Sequence, residues 1–240
     1  MLYNATNHIN PAHKPCWICG SPADTGEHMI KVTDLEALFG KTTTHKPLYR
    51  RIDAGPQELI QGKKSQKLKF KTELCGYCNN TRSQPDDQSW KALAAHFRSR
   101  DPRITPGEIV RVSNAFPAGI RPGLLGVHLY FIKLFGCLIL DAQVPIDTRP
   151  LANSILKRVP HPSVYLSFLA VTSRKFQDQA MVTPVEITTK KGTLSSAQWF
   201  YFVGRIGVHI ILAPQIHLRS DKVHFWHPRC TTKTLTLDGL

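Results

Sequence analysis

The sequence is short of acid. Asp and Glu number 17 against 31 Lys and Arg, a formal net charge of +14 over 240 residues. Such an imbalance disfavours a basic partner and suits a polyanion, because each neutralised phosphate releases condensed counterions. Cysteine is scarce as well, at six, which excludes a disulfide-built scaffold at this length. Four of the six stand in metal-binding spacing, while Cys137 and Cys230 are isolated, as befits thiols kept in a reducing compartment. No apolar run is long: Leu124 to Leu140 is interrupted by His128 and Lys133 and falls short of the ~20 residues a bilayer span needs. The opening Met1-Leu2-Tyr3-Asn4 has no charged start followed by an apolar stretch, so a secretory leader is not expected. These shortages point to a cytoplasmic protein with no membrane partner. Internal repeats and low-complexity tracts are also lacking, and 42% hydrophobic with 20% charged residues is globular composition.

What the sequence does have is order in its first hundred residues. Cys16-Trp17-Ile18-Cys19 forms a knuckle closed by Gly20, and Glu27-His28-Met29 resumes an extended segment. Thr33 to Gly40 has the cap, apolar spacing and terminal glycine of a short helix. The basic stretch from Lys41 to Gln66 reads as loop, with short strands at Pro47–Ile52 and Glu58–Ile60. Leu68 to Leu74 alternates as a strand and delivers Cys75-Gly76-Tyr77-Cys78. A helix is expected from Asn79, with Pro85 either interrupting it or opening its continuation, and cations near Arg98 at its end. Beyond a boundary near residue 100, Thr105 to Gly126 reads as a connector and Leu124 to Leu140 as a buried helix. Pro150–Val159 follows as a short helix, and then come strands at Ser163–Val171, Val182–Thr188, Trp199–Val203, Gly207–Leu212 and Val223–Trp226. The expected class is α+β: a zinc-stapled unit over residues 1–100, then a smaller mixed α+β domain over 101–240 in which no chemistry motif stands out. The run Trp199-Phe200-Tyr201-Phe202 is expected in the core rather than as a base-stacking platform.

Two C-x-x-C pairs predict one tetrahedral zinc site on Cys16, Cys19, Cys75 and Cys78, structural because four thiolates leave no open position. The 56-residue reach from Cys19 to Cys75 adds little closure cost once both knuckles share an ion. That ion draws together Glu27-His28, just after the first knuckle, and Asn79, just after the second. A neutral imidazole at His28 can take a proton from water, and Glu27 with the Asn79 amide oxygen offers hard oxygen ligands for a magnesium-class cation. A histidine taken alone is more often simply packed or solvated. Lys67, Lys69 and Lys71 alternate before Cys75 and would share one strand face, either along a nucleic-acid backbone or as a solvated edge. Arg82 suits a phosphate or plain solvent. Asp86 and Asp87 read first as helix-start acids, opposing the helix dipole.

The order Cys-x-x-Cys, Glu-His, Leu-Cys-x-x-Cys-Asn-Asn, then an Asp several residues on, resembles the HNH endonuclease family over roughly residues 16–90. The likeness is to its cysteine-clamped members with Asn in place of the last His. The resemblance implies a ββα-metal, or treble-clef, unit gripping one catalytic Mg2+ or Mn2+ beside a structural zinc. It also implies His28 as general base, Glu27 and Asn79 on the catalytic ion, and Asp86 or Asp87 as helper. Its implied substrate is DNA ahead of RNA, in a bacterial defence or mobile-element setting, with a homo-oligomer or a defence-system protein as partner. The sequence departs from the pattern in having Met29-Ile30-Lys31 where a proline commonly follows the histidine, and in lacking an evident bracing asparagine between Lys67 and Leu74. A zinc module that binds nucleic acid without cutting is the alternative, and a protein adaptor a third reading that the charge disfavours.

Overall fold

The computed structural model describes residues 14–41, 47–52, 55–100, 104–214, 223–229 and 233–240. In chain order the elements are β1 (Thr25–His28), α1 (Val32–Phe39), β2 (Leu48–Arg50), β3 (Glu58–Ile60), β4 (Lys69–Leu74), α2 (Gln84–Arg98), β5 (Ile109–Arg111), α3 (Ile120–Asp141) and α4 (Arg149–Lys157). They continue with β6 (Val164–Ala170), α5 (Arg174–Gln177), β7 (Ala180–Val182), β8 (Glu186–Lys190), β9 (Thr193–Val203), β10 (Ile206–Leu212) and β11 (Thr234–Gly239). The fold is mixed α+β. A two-stranded antiparallel pair, β1 with β4, lies near the start of the described chain, and a seven-stranded sheet in the order β5-β11-β6-β10-β9-β7, with β8 on β9, fills the second half.

The β1–β4 pair is irregular in a way that matters. Thr25 faces Leu74 and Gly26 faces Glu73, but His28 faces Lys69, so Phe70, Lys71 and Thr72 all bulge opposite Glu27. Bulged N–H groups need other acceptors. Asp141, the last residue of α3, supplies them: its carboxylate accepts from Lys71 N at 2.7 Å and Thr72 N at 2.6 Å.

Between β4 and α2 the chain does not enter a plain α-helix at Asn79. Tyr77–Arg82 winds as a wider π-type turn, and α2 begins only at Gln84 with Pro85 in its first turn, where a proline's missing N–H costs nothing. Other expectations need correcting too. Lys67 lies in a 3-10 turn, Gln66–Leu68, and not on the strand. Pro184 splits the run Val182–Thr188 into β7 and β8. Val223–Trp226 forms only an isolated bridge, Trp226 to Leu166. The expected connector contains β5 and the first two turns of α3, and β11 lies where no strand is expected.

Helix α3 has 22 residues, so by length and composition it is long enough to cross a membrane, against the expected shortfall. Most of its apolar window, 78%, is buried inside this chain. It lies along α2 and beneath the sheet, with Trp90 and Phe131 in ring contact with one another and each with Tyr130 and Tyr201, between 4.8 and 6.1 Å. Gly126 admits Ser89 of α2, and Gly136 admits the Trp17 indole; a Cβ at either position would lie 2.3 Å from its neighbour. A single set of buried side chains therefore runs from Cys16 to Leu237 and continues across residue 100. Residues 101–240 carry the larger sheet and are the larger part of the chain, not the smaller.

Strand β9 divides its aromatics by period two. Trp199 and Tyr201 are fully buried towards α3, while Phe200 and Phe202 stack in parallel at 5.7 Å beside Phe176 on a small separate cluster. Only half of that run lies in the main core.

Candidate functional site

The two cysteine knuckles meet. The first is a tight turn in which Gly20 N donates to Cys16 O and Cys16 N to Ser21 O, both at 2.8 Å, with Gly20 at φ 79°. The second carries a Cys78 N–H to Cys75 Sγ contact of 3.4 Å, the N–H···S geometry typical of metal knuckles. All four sulfurs lie within 4.8 Å of one another, and Cys19 Sγ is 3.5 Å from Cys75 Sγ. Zinc–sulfur bonds of about 2.3 Å in a tetrahedron place sulfurs about 3.8 Å apart, so the set fits such an ion. Burial pushes the Cys75 and Cys78 thiols up, whereas at Cys19 hydrogen bonds from Ser21 and the neighbouring cysteines override it and draw the thiol down to about 6. A shared cation relieves that penalty. Cys137 is buried as a small apolar group, and Cys230 lies outside the described residues.

Beside the knuckles a cleft of about 380 Å³ is lined by Glu27, His28, Lys31, Lys69, Asn79 and Asp87, among others. His28 and Asn79 thus both line this one cleft despite their separation in sequence. Asn79 is 9% exposed, and its amide nitrogen donates to Thr25 Oγ1 at 3.1 Å. The Thr25 hydroxyl proton is committed to Leu74 O at 2.8 Å, so Thr25 can only accept from Asn79, which fixes the amide orientation. Asn79 Oδ1 is then left buried with no hydrogen-bond partner, and so is His28 Nε2. Buried polar atoms are normally satisfied, and three residues that line this cleft, His28, Asn79 and Thr33, each carry an orphaned one, which makes it the candidate site. Burial, with Lys69, Lys64, Lys133 and Lys31 nearby, lowers the His28 pKa to about 4, so its imidazole is a neutral acceptor at pH 7.

The carboxylates are arranged by Lys133, the cation that interrupts the apolar run of α3. Lys133, 1% exposed on α3, donates to Glu27 Oε2 at 3.0 Å, Ser83 Oγ at 3.0 Å and Asp87 Oδ1 at 3.2 Å. Lys31 stands 3.7 Å from the same Asp87 oxygen. Burial raises the Glu27 pKa, opposed by the Lys133 charge. The second half of the chain therefore does contribute chemistry to this site. A lysine inside an apolar run was the available signal, since buried lysines are seldom unpaired.

Other expected site residues fall elsewhere. Asp86 does not line the cleft: it is 1% exposed and pairs with Arg158 at 2.8 Å, while burial raises its pKa to about 6. Neither Asp86 nor Asp87 makes a side-chain cap; both stand in the first turn of α2 as ion-pair partners. Arg82 donates to Cys78 Sγ at 3.5 Å and lies 5.0 Å over the Tyr77 ring, turned to the cysteines rather than to the cleft. Lys69 lines the cleft, Lys71 is exposed on the same strand, and Lys67 pairs with Glu58 at 3.2 Å. Comparison with protein-family models, curated proteins and solved structures gives no match.

Proposed function

We propose that this chain is a metal-dependent endonuclease of the HNH kind, hydrolysing phosphodiester bonds of DNA. The observation that carries the reading is the pair of orphaned buried atoms, His28 Nε2 and Asn79 Oδ1, on one cleft beside a four-cysteine cluster. On this reading β1, β4 and α2 act as a ββα-metal unit stapled by zinc. Glu27 and Asn79 offer only oxygen to a Mg2+ or Mn2+ ion, the donor set such ions select. Bound there, the ion supplies Lewis-acid stabilisation of charge on the phosphoryl oxygens. His28 takes the proton of the attacking water as the new P–O bond forms and the bond to the 3′ oxygen breaks; that oxygen takes a proton from solvent. An approaching phosphate offsets the lysine charges around His28 and so strengthens it as a base. Lys69 and Lys31 position the DNA backbone without reading sequence.

The full chain should nick supercoiled plasmid with Mg2+ or Mn2+ and stop on EDTA. His28→Ala should keep its zinc and lose activity by about 100-fold or more, the range for a removed general base. A second reading, a zinc-bound module that binds DNA without cutting, draws on the Lys133 ammonium already held by Glu27 and Asp87. Salt-sensitive DNA binding with no cleavage under any divalent ion would favour that reading and overturn the first.

A further inference from the structure

Lys133 has an environment built for a cation. Its ammonium has three N–H groups, and three oxygens take them: Glu27 Oε2, Asp87 Oδ1 and Ser83 Oγ, at 3.0 to 3.2 Å. The lysine emerges from an otherwise apolar stretch of α3, where an ammonium is costly unless fully paired. Without it, two carboxylates and a hydroxyl would face one another, with a fourth oxygen donor, Asn79 Oδ1, itself buried and unpartnered, on a residue of the same cleft. That oxygen-only set is what divalent cations gather, and in two-metal phosphodiesterase sites a shared carboxylate typically links the pair.

Resting on the assignment of this cleft as a divalent-cation site, we propose that the Lys133 ammonium stands in the place of a second divalent cation. It occupies the α3-facing edges of Glu27 and Asp87, leaves Asn79 Oδ1 to the cleft, and so limits the site to one ion. Two further consequences belong to this arrangement. The resident charge repels an ion that shares Glu27, so the single ion binds more weakly than the carboxylates alone would allow. The ammonium also holds Glu27 in position at the β1–β4 bulge before any ion arrives.

The test is Mn2+ binding to the full chain, counted by the EPR signal of free Mn2+, with zinc content verified by metal analysis. Wild type should bind one Mn2+ per chain. Lys133→Met should bind Mn2+ at least about tenfold more tightly or take up a second ion, because a like charge has been removed from shared ligands. Its thermal midpoint should be low without Mn2+ and rise with it more than wild type does, since the ion then replaces the missing counter-charge. Should Lys133→Met fold too poorly to titrate, Lys133→Met with Asp87→Asn removes one charge of each sign, and it should still bind one Mn2+ more tightly than wild type. A variant that binds Mn2+ no more tightly than wild type and takes up no second ion, with one Mn2+ still bound by wild type, overturns the Lys133 role and leaves the cleft assignment standing. Absence of Mn2+ binding in wild type and variant alike overturns the cleft assignment, and the Lys133 role with it.

Discussion

Asn79 presents its oxygen because its nitrogen is already engaged. The chain Asn79 Nδ2 to Thr25 Oγ1 to Leu74 O is directional, because the single hydroxyl proton of Thr25 goes to Leu74 O, so the orphaned oxygen is a product of the network rather than of chance rotation. Similar reasoning fixes His209. Gln198 donates to Glu186 at 3.0 Å, which turns its carbonyl oxygen to His209 Nε2 at 3.0 Å, and the imidazole stacks on Phe200 at 4.2 Å. Burial lowers the His209 pKa to about 4 from an ordinary 6.5. Between those values the unfolded chain binds a proton that the folded chain refuses, so stability is full above pH 6.5 and is lost as pH falls towards 4. At pH 5 the loss is on the order of 2 kcal/mol for this one group. Buried His128 and His161, whose pKa values are also lowered by burial, add to it with the same sign. The urea midpoint should therefore drop between pH 7 and pH 5, and His209→Phe should drop less. An equal drop in both would show that His209 takes no part.

At the scale of elements, α3 sets the geometry of everything in front of it. Gly136 lies under Trp17, so a single methyl there meets the indole at 2.3 Å. Gly136→Ala should cost about 1–3 kcal/mol through overpacking and, where the four cysteines hold zinc as proposed, speed its loss to a chromogenic chelator, because the Cys16–Cys19 knuckle rides on that indole. Trp17→Leu in the same background should restore part of both. Stability and zinc retention that match wild type would mean the knuckle does not depend on this contact. The sequence made α3 legible as a helix through sheer apolar length, and it made the cysteine clamp legible through spacing. It did not reveal β5, three residues inside a Pro- and Gly-rich stretch, or β11, whose buried Leu235 and Leu237 alternate too briefly to stand out. The Glu27–Lys133 pair spans 106 positions, and no local pattern encodes a contact at that range. The true setting of Asp86 escapes sequence for the same reason: its partner Arg158 follows α4 in a left-handed turn.

For the molecule as a whole, the net charge of +14 is the long-range term. On the proposed reading, DNA affinity measured by fluorescence anisotropy in EDTA should fall steeply with salt. Replacing Lys69 and Lys71 with alanine should reduce the magnitude of the log K against log salt slope by about 1 for each phosphate no longer neutralised. An unchanged slope would place the DNA on another face. The first hundred residues carry every motif that sequence alone could recognise, but the core they need continues into the second half. Trp17 on Gly136, Glu27 and Asp87 on Lys133, and the β4 bulge on Asp141 are three attachments to one helix. The motif-bearing segment is thus no transplantable cassette: severed before α3, it would keep its four thiols but lose the keel that aligns them with the cleft, so any graft of the proposed site onto another scaffold must carry residues 120–141 along with it.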